Sequence, residues 1–237
     1  MTINEAFCQC LSQLKLKNRG NIDTHIRGIT RKLNQCYFDS DSETDHCLLV
    51  GSMGRKTSID KESDIDILFE LPRDVFLRYK NREGNGPSQL LSDVRECLRE
   101  KYPKTDIRGD GQVVDVFFLD YTVEVVPCSR EKDNSFTYPD SNDGGSWLTT
   151  NPLPEIAECE KMDSFFYVFR DFCKLIRVWR GENDVKCGGL LIDTLVYNFF
   201  SIIHNMKKSL VNLLTLKKCF LNCWNGSKTK IKTKAIG

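Results

Sequence analysis

Apolar residues recur every three or four positions in two stretches near the start of the chain, residues 4–16 and 22–38. The polar segment KNRGN separates the two stretches. In the second stretch the apolar positions are Ile22, Ile26, Ile29, Leu33 and Cys36. Because this spacing places the apolar side chains on one helical face, the sequence predicts two amphipathic helices at the start of the fold.

The middle of the chain changes to shorter runs that are rich in β-branched and aromatic residues. CLLVGS predicts a strand that ends in a turn at Gly51 and Ser52, and DIDILFEL predicts a second strand. A mostly helical region, 74–102, follows, interrupted by the loop NREGNGPS. Three further strands are expected, and these are 105–108, VVDVFFLD and YTVEVVPC. The last two strands are so close that they predict a β-hairpin.

The second half of the chain has a different pattern. YPDSNDGGSWLTTNP, residues 138–152, is rich in Asp, Asn, Gly and Pro and predicts irregular structure. Residues 162–180 predict one helix with a broad apolar face. Residues 188–206 are apolar nearly all round and predict a buried helix. We therefore expect an α+β fold with a small mixed sheet in residues 1–150, a helical lobe in residues 151–237 and a cleft between them.

Charge and composition limit the possible partners. The net charge of the 237 residues is +1, but residues 194–237 hold eight lysines and no acid, so residues 1–193 carry a net −7. Nucleic-acid binders usually have a basic face, so we expect no stable nucleic-acid binding. The chain lacks a run of about 18 apolar residues, so no membrane contact is expected. Neither a signal peptide nor C-x-x-C is present, which favours a cytoplasmic protein whose eleven cysteines are reduced thiols.

A pair of acids at the start of a predicted strand indicates a metal site. Asp64 and Asp66 point to the same face of the strand, about 7 Å apart along the backbone. Their mutual repulsion is relieved most simply by a divalent cation that prefers oxygen ligands. Nucleotidyl transfer with two metal ions calls for a third carboxylate from a neighbouring strand. Glu124 in VEVVP is the first choice, Asp115 the main alternative and Asp120 a weaker one.

A site that binds phosphate groups needs small residues that let the backbone come close and side chains that carry positive charge. Gly51 and Ser52 offer a turn whose backbone and hydroxyl suit phosphate oxygens. Lys174 and Arg177 lie three residues apart on one helical face, and Arg180 continues that line. If this helix lines the cleft, its cations would hold a triphosphate; otherwise they are solvated or cover the apolar stripe.

The string GSMGRKTSIDKESDIDILFELP resembles the signature of the DNA polymerase β-type nucleotidyltransferases. With VEVVPC, YPDSNDGGSWLTTNP, CKLIRVWR and GLLIDTLVYNF, residues 5–205 resemble the bacterial cGAS/DncV-like nucleotidyltransferases (CD-NTases, SMODS-type) and, more distantly, oligoadenylate synthetase. Members of that family join nucleoside triphosphates into cyclic second messengers. They belong to antiphage (CBASS) operons that also encode an effector.

The resemblance implies roles for individual residues. Asp64 and Asp66 match the metal-binding pair, Glu124 matches the third metal ligand, and Gly51 with Ser52 matches the phosphate-binding turn. Arg177 falls where several relatives have a cleft lysine, with Lys174 one turn earlier. Gly189 falls where some relatives have a nucleotide-contacting serine. Relatives continue with more helices, so a shortened helical lobe and a more open cleft are expected.

These observations lead to one main hypothesis and two alternatives. The main hypothesis is a Mg²⁺-dependent enzyme, with Mn²⁺ as a possible substitute, that makes a cyclic oligonucleotide from ATP and other NTPs. Regulatory or effector proteins of a defence operon would then be its partners. One alternative transfers the nucleotide to a protein, a small molecule or a tRNA end. The other is a catalytically silent protein that binds nucleotides.

Overall fold

The computed structural model describes residues 19–60 and 64–205, with a few earlier positions (2, 5, 9–12 and 14). The helix predicted over 4–16 lies mostly outside the described residues. The chain divides into two compact units. Among the described residues, the sheet unit comprises 19–56 and 64–158. The helical unit comprises Thr57–Asp60, residues 159–205 and the described positions up to residue 14.

The described chain folds into α-helices and one seven-stranded sheet. The elements up to the end of the sheet are α1 (Arg19–Phe38), β1 (Cys47–Leu49), α2 (Gly51–Gly54), β2 (Asp64–Glu70), α3 (Arg73–Lys80), α4 (Gly86–Lys101), β3 (Asp106–Asp110), β4 (Val113–Phe117), β5 (Thr122–Arg130), β6 (Phe136–Asp140) and β7 (Ser146–Thr150). The remaining elements are α5 (Leu153–Phe165), α6 (Phe169–Glu182) and α7 (Gly189–Asn205). This arrangement confirms the predicted α+β class.

The sheet mixes parallel and antiparallel pairing. Its main order is β1-β2-β5-β4-β3, and β6 continues from β5 to pair with β7. β2 and β5 are parallel, whereas the β1–β2, β5–β4 and β4–β3 pairs are antiparallel. The antiparallel β4–β5 pair confirms the predicted hairpin. Since β2 and β5 start at the same edge of the sheet, residues near their starts become neighbours.

The two faces of the sheet differ in polarity. One face carries fully buried aliphatic side chains, which include Ile65, Ile67, Val114, Val116, Val123 and Val125. Helix α4 packs against strands β3 to β6 and against α1. Helix α1 buries Ile22, Ile26, Ile29 and Leu33, as the apolar spacing predicts. Alternation along the strands then directs the intervening polar residues to the opposite face.

The helical unit has its own core. Helices α6 and α7 contact each other, and their buried side chains form one cluster. Its fully buried members are Phe169, Cys173, Leu175 and Phe200. Among the described residues, no helix combines the length and the apolar character that crossing a membrane requires.

The prediction of irregular structure over 138–152 is wrong. Strands β6 and β7 form a hairpin there, and the polar residues Asn142–Gly144 make its turn. Asp143, Gly144 and Gly145 all have positive φ, which explains the Asp- and Gly-rich composition. The Trp147 and Phe76 rings pack edge to face, with their centroids 4.8 Å apart, so aromatic packing holds the hairpin to α3.

The single helix predicted over 162–180 is in fact two. Helix α5 ends at Phe165 and α6 begins at Phe169, and a tight turn joins them, in which the Phe169 N–H donates to the Phe166 carbonyl. Val168 and Phe169 are buried on either side of the start of α6. The apolar spacing therefore continues through the turn and hides the break from the sequence pattern.

The helix predicted over 188–206 exists, but it is not buried all round. α7 buries Ile192, Val196 and Phe200, whereas Leu191, Leu195, Phe199 and Ile202 are exposed. The buried set is spaced by four residues and faces the cluster that α6 shares. Periodicity predicts a helix here, but an all-apolar segment does not indicate which face packs.

The expectation that all cysteines are reduced is also wrong. Cys36 on α1 and Cys97 on α4 form a disulfide across 61 residues of sequence. Cys36 was predicted to lie in the apolar stripe of α1, yet it is exposed and bonded to the neighbouring helix. Packing of α1 against α4 brings the two thiols together, and no local spacing in the sequence signals that pairing.

Candidate active site

Carboxylates occupy neighbouring positions on the polar face of the sheet. β2 and β5 run parallel, with Asp64 opposite Thr122 and Asp66 opposite Glu124. Residues paired across adjacent strands point to the same face, and so do residues two apart on one strand. Asp64, Asp66 and Glu124 therefore share one face of the sheet, opposite the aliphatic core.

Glu124 lies between two other acids in one row across the sheet. Its direct neighbours are Asp66 on β2 and Asp115 on β4. Burial raises the pKa of Glu124 to about 7, and the charges of Asp66 and Asp64 and a hydrogen bond with Asp66 act in the same direction. Burial also raises the pKa of Asp115, helped by the charges of Asp110 and Asp64. Burial and neighbouring negative charges thus disfavour ionisation of both Glu124 and Asp115.

The register separates the three candidates for the third carboxylate. Glu124 pairs directly with Asp66, whereas Asp115 is one strand farther from β2. Asp120 lies in the turn between β4 and β5, outside the paired residues. Glu124 is therefore the candidate nearest the Asp66 carboxylate, and its role as a metal ligand stays a prediction.

The chemistry of this row suits a hard divalent cation such as Mg²⁺. Carboxylate oxygens are the ligands that this ion prefers, and its charge would relieve the repulsion between them. Across the residues that the structure describes, however, no three His, Cys, Asp or Glu side chains stand in an arrangement that could hold a metal ion as they are. The neighbouring Asp66 also helps to raise the pKa of Glu124, so metal binding would compete with protonation of that carboxylate. Binding a cation therefore requires these side chains to reorient.

Gly51 brings the main chain directly against the second acid. Its φ is +57°, and a Cβ at this position would lie 1.8 Å from Asp66 Oδ2. The Val50 N–H also donates to the Asp66 carbonyl at 3.0 Å. Ser52 follows as the half-buried second residue of α2, where the sequence pattern predicts only a turn. The phosphate contact expected of Gly51 and Ser52 stays a prediction.

Two other residues of the same motif have structural roles that sequence reasoning missed. Arg55 is 6% exposed and donates to Glu155 on α5 at 3.2 Å. Thr57 is fully buried, and its hydroxyl donates to Asp193 on α7 at 2.8 Å. The partners of Arg55 and Thr57 lie 100 and 136 residues away in sequence. The only local signal for these two residues is that they belong to the GSMGRKT motif.

The structure does not support the triphosphate contact predicted for Arg177. This side chain is 2% exposed, and its guanidinium donates to Asp193 at 2.7 Å, to the Gly189 carbonyl at 3.0 Å and to Thr57 at 3.3 Å. A Cβ on Gly189 would lie 2.5 Å from the guanidinium, so the arginine also explains why glycine stands at that position. Arg177 is therefore the positive partner of a buried ion pair within the helical unit.

The other two predicted cations also lie on α6. Arg180 donates to the Cys187 carbonyl at 3.1 Å, which fastens the segment between α6 and α7. Lys174 is half-buried on the same helix. Arg177 is bound to partners inside the protein. Within the CKLIRVWR stretch, the phosphate contact therefore stays a prediction for Lys174.

A family comparison agrees with this geometry. The family model described as Second Messenger Oligonucleotide or Dinucleotide Synthetase domain (SMODS) matches residues 1–162, which include all three carboxylates. The chain belongs to the SMODS domain family. A comparison with the sequences of curated proteins gives no match.

Solved structures show the same fold at low sequence identity. CdnC of E. coli MS115-1, solved in complex with HORMA-deltaN, superposes with a TM-score of 0.59 at 15% identity over 84% of this chain. The CD-NTase CdnG of Bradyrhizobium diazoefficiens, in complex with GTP, gives 0.60 at 14% over 83%. The CdnE cyclic dinucleotide synthase of Elizabethkingia meningoseptica, with GTP and Apcpp, gives 0.55 at 18% over 79%. The matches cover 64%, 70% and 69% of those chains, so this SMODS protein spans about two thirds of their length.

Replacing Gly51 tests the close approach to Asp66. In Gly51→Ala the new methyl group must displace the Asp66 carboxylate, so we expect Mn²⁺ affinity to fall by about 10-fold or more, measured by electron paramagnetic resonance. The positive φ alone costs the alanine variant about 1 kcal/mol of stability. Gly144→Ala is the matched control, because Gly144 has a φ of +89° and nothing within 4 Å of its Cβ position. Equal Mn²⁺ affinity in the two variants would contradict the assignment.

The raised pKa of Glu124 predicts a pH dependence of stability. Between its ordinary pKa of 4.5 and the folded value of about 7, the folded protein binds more protons than the unfolded chain. The free energy of unfolding of the metal-free protein therefore falls as pH rises through this window. We expect thermal unfolding between pH 4.5 and 7.5 to follow that trend in the wild type and to be flatter in Glu124→Gln. A Glu124→Gln profile that parallels the wild type would show that Glu124 is not the source.

The buried Arg177–Asp193 pair predicts a large effect on stability. Arg177→Met leaves the Asp193 charge without its partner, and we expect a loss of about 3–5 kcal/mol in urea denaturation. The double variant Arg177→Met/Asp193→Leu removes both charges and should recover most of that loss. Lys174→Ala, on the same helix, should stay within about 0.5 kcal/mol. A stable Arg177→Met protein with weakened nucleotide binding would instead favour a phosphate contact.

Proposed function

We propose that this protein is a divalent-metal-dependent nucleotidyltransferase that joins nucleoside triphosphates into a cyclic oligonucleotide. The observation that carries the proposal is the pairing of Asp66 with Glu124 on adjacent parallel strands, with Asp64 on the same face. Membership of the SMODS family supports it, because the family is described by synthesis of second-messenger oligonucleotides or dinucleotides.

Asp64, Asp66 and Glu124 are the residues that would hold Mg²⁺, or Mn²⁺ in its place. When bound, the metal would make the attacking hydroxyl more acidic and would stabilise the leaving pyrophosphate. Without that charge the three carboxylates would repel the substrate phosphates. Their arrangement is thus suited to phosphoryl chemistry only in partnership with a cation.

The chain's own residues define a donor side and an acceptor side. Gly51 and Ser52 follow β1, which neighbours β2 on the side away from β5, and Gly51 lies against the Asp66 carboxylate. They would hold the donor triphosphate, with Lys174 as the proposed positive contact. Glu124 on β5 lies on the other side of the acid pair. A ribose hydroxyl beside Glu124 would attack the donor α-phosphorus, lose its proton and release pyrophosphate.

The proposed substrates are ATP and other nucleoside triphosphates. Complexes of CdnG with GTP and of CdnE with GTP and Apcpp show nucleotides bound to proteins of this fold, which supports that substrate class here. A second round on the linear intermediate would close the ring. A regulatory or effector protein of an antiphage defence operon is the proposed partner, in keeping with the CdnC:HORMA-deltaN complex. We place this activity in the cytoplasm.

Product analysis tests the proposal. We expect the protein, incubated with α-³²P-labelled NTPs and Mg²⁺, to form a phosphatase-resistant nucleotide that mass spectrometry identifies as a ring. Asp64→Ala/Asp66→Ala should lower the rate by about 1000-fold or more. Glu70→Ala is the matched control, since Glu70 ends the same strand and pairs with Arg130 near the surface.

The same reaction separates the alternatives. Label recovered in a protein or at a tRNA end would indicate that the nucleotide is transferred to a macromolecule instead of being closed into a ring. Nucleotide binding without pyrophosphate release under any activating condition would indicate a catalytically silent protein. The excess of acidic residues over the first 193 positions already disfavours a tRNA acceptor.

A further inference from the structure

The acceptor nucleotide can be located by the geometry of in-line displacement. The leaving pyrophosphate and the attacking hydroxyl must lie on opposite sides of the reacting phosphorus. Gly51 and Ser52 follow β1, which neighbours β2 on the side away from β5, and a donor triphosphate that enters along this side would leave the β5 side to the attacking hydroxyl. The strands on that side are β5, β4 and β3, in that order. In the proposed reaction the acceptor nucleotide would therefore extend over β4 and β3.

An aromatic side chain lies on that surface. Asp115 on β4 is paired with Glu124, and Phe117, two residues later, is paired with Thr122. Strand alternation places Phe117 on the same face as Asp115 and Glu124. From the strand spacing and rise, its Cα lies roughly 8 Å from that of Glu124. A nucleoside spans a comparable distance from its ribose hydroxyl to the far edge of its base.

Phe117 does not belong to the core of the sheet. It is 37% exposed, whereas its neighbour Val116 is fully buried on the opposite face. The guanidinium of Arg108 on β3 lies 5.2 Å from the centre of the Phe117 ring. Arg108 in turn makes an ion pair with Asp106. The ring is therefore held by a cation on one side while part of its surface stays open to solvent.

We propose that Phe117 is the stacking contact for the base of the acceptor nucleotide. Aromatic stacking accepts any base and adds affinity on a surface that is otherwise crowded with carboxylates. Arg108 packs against the ring and fixes its orientation. This inference rests on the proposed function, because it assumes that a second nucleotide supplies the attacking hydroxyl.

Separate donor and acceptor analogues isolate the contact. A 2′,3′-dideoxy-NTP lacks the attacking hydroxyls and acts only as donor, whereas an α,β-methylene NTP keeps its hydroxyls but cannot release pyrophosphate. When the two analogues react, a ribose oxygen of the acceptor bonds to the α-phosphorus of the donor. The α–β phosphoanhydride of the donor breaks, and one pyrophosphate and one proton leave. The linear dinucleotide is quantified while each analogue is titrated in turn, with each of the four bases.

Phe117→Ala should raise the KM for the acceptor analogue by about 10-fold and leave the KM for the donor analogue within about twofold. Phe117→Tyr keeps the ring and should restore the acceptor KM. Leu119→Ala is the control, since Leu119 is 99% exposed in the adjoining turn. Equal changes in both KM values, or no change in the acceptor KM, would overturn the inference.

A separate measurement distinguishes this inference from the proposed function. If the wild type makes no product from NTPs, the proposed function fails, and calorimetric titration of the α,β-methylene NTP with Mg²⁺ becomes the test. Weaker binding in Phe117→Ala with wild-type affinity in Phe117→Tyr would still support a stacking site. Equal binding by the wild type and Phe117→Ala, or no binding by the wild type, would overturn it.

Discussion

The parallel pairing of β2 with β5 is the constraint on which the rest of the structure depends. This pairing sets Asp66 beside Glu124 and raises the pKa of Glu124, because like charges are crowded where burial already disfavours ionisation. On the opposite face the same register buries Ile65, Ile67 and Val123. Slipping the register by one residue would turn these aliphatic side chains toward water and the acids toward the core. Burial of the aliphatic face therefore fixes the arrangement that brings the acids together.

The glycine–serine motif serves both the candidate site and the scaffold around it. Gly51 gives the Asp66 carboxylate its space, since any Cβ would occupy the position of the oxygen. Arg55 and Thr57 are buried and hold partners far along the chain. Thr57 joins the Arg177–Asp193 ion pair, so a residue near the candidate site in sequence is part of the core of the helical unit. Most of the motif is thus explained by packing, and its chemistry is confined to a few positions.

The fold is shared with the solved structures of CdnC, CdnG and CdnE at 14–18% identity. At such identity most side chains differ, and what the comparison establishes is the architecture. Family membership rests on residues 1–162, which hold the sheet and its acids, whereas Lys174 and Arg177 lie beyond that range. The weakest of the residue assignments from the sequence came from that later part. There, Arg177, which the sequence analysis assigned to phosphate, is the buried partner of Asp193.

Local pattern was sufficient to predict strands β1 to β5 and the acids on them. Alternation along β2 and β5, the spacing of the α1 isoleucines and the tight β4–β5 turn are short-range features, and each was confirmed. The hairpin at 136–150 and the break before Phe169 are also local, but the polar turn composition and the continuous apolar spacing conceal them. The exposed face of α7 depends on tertiary packing. The same holds for the Cys36–Cys97 disulfide and for the burial of Arg177, whose partners are distant in the chain. The sequence alone determined which residues are candidates for holding a cation, because residue chemistry and strand alternation are local. Only the tertiary structure decided which charges are already paired inside the protein, because those partners are distant in the chain.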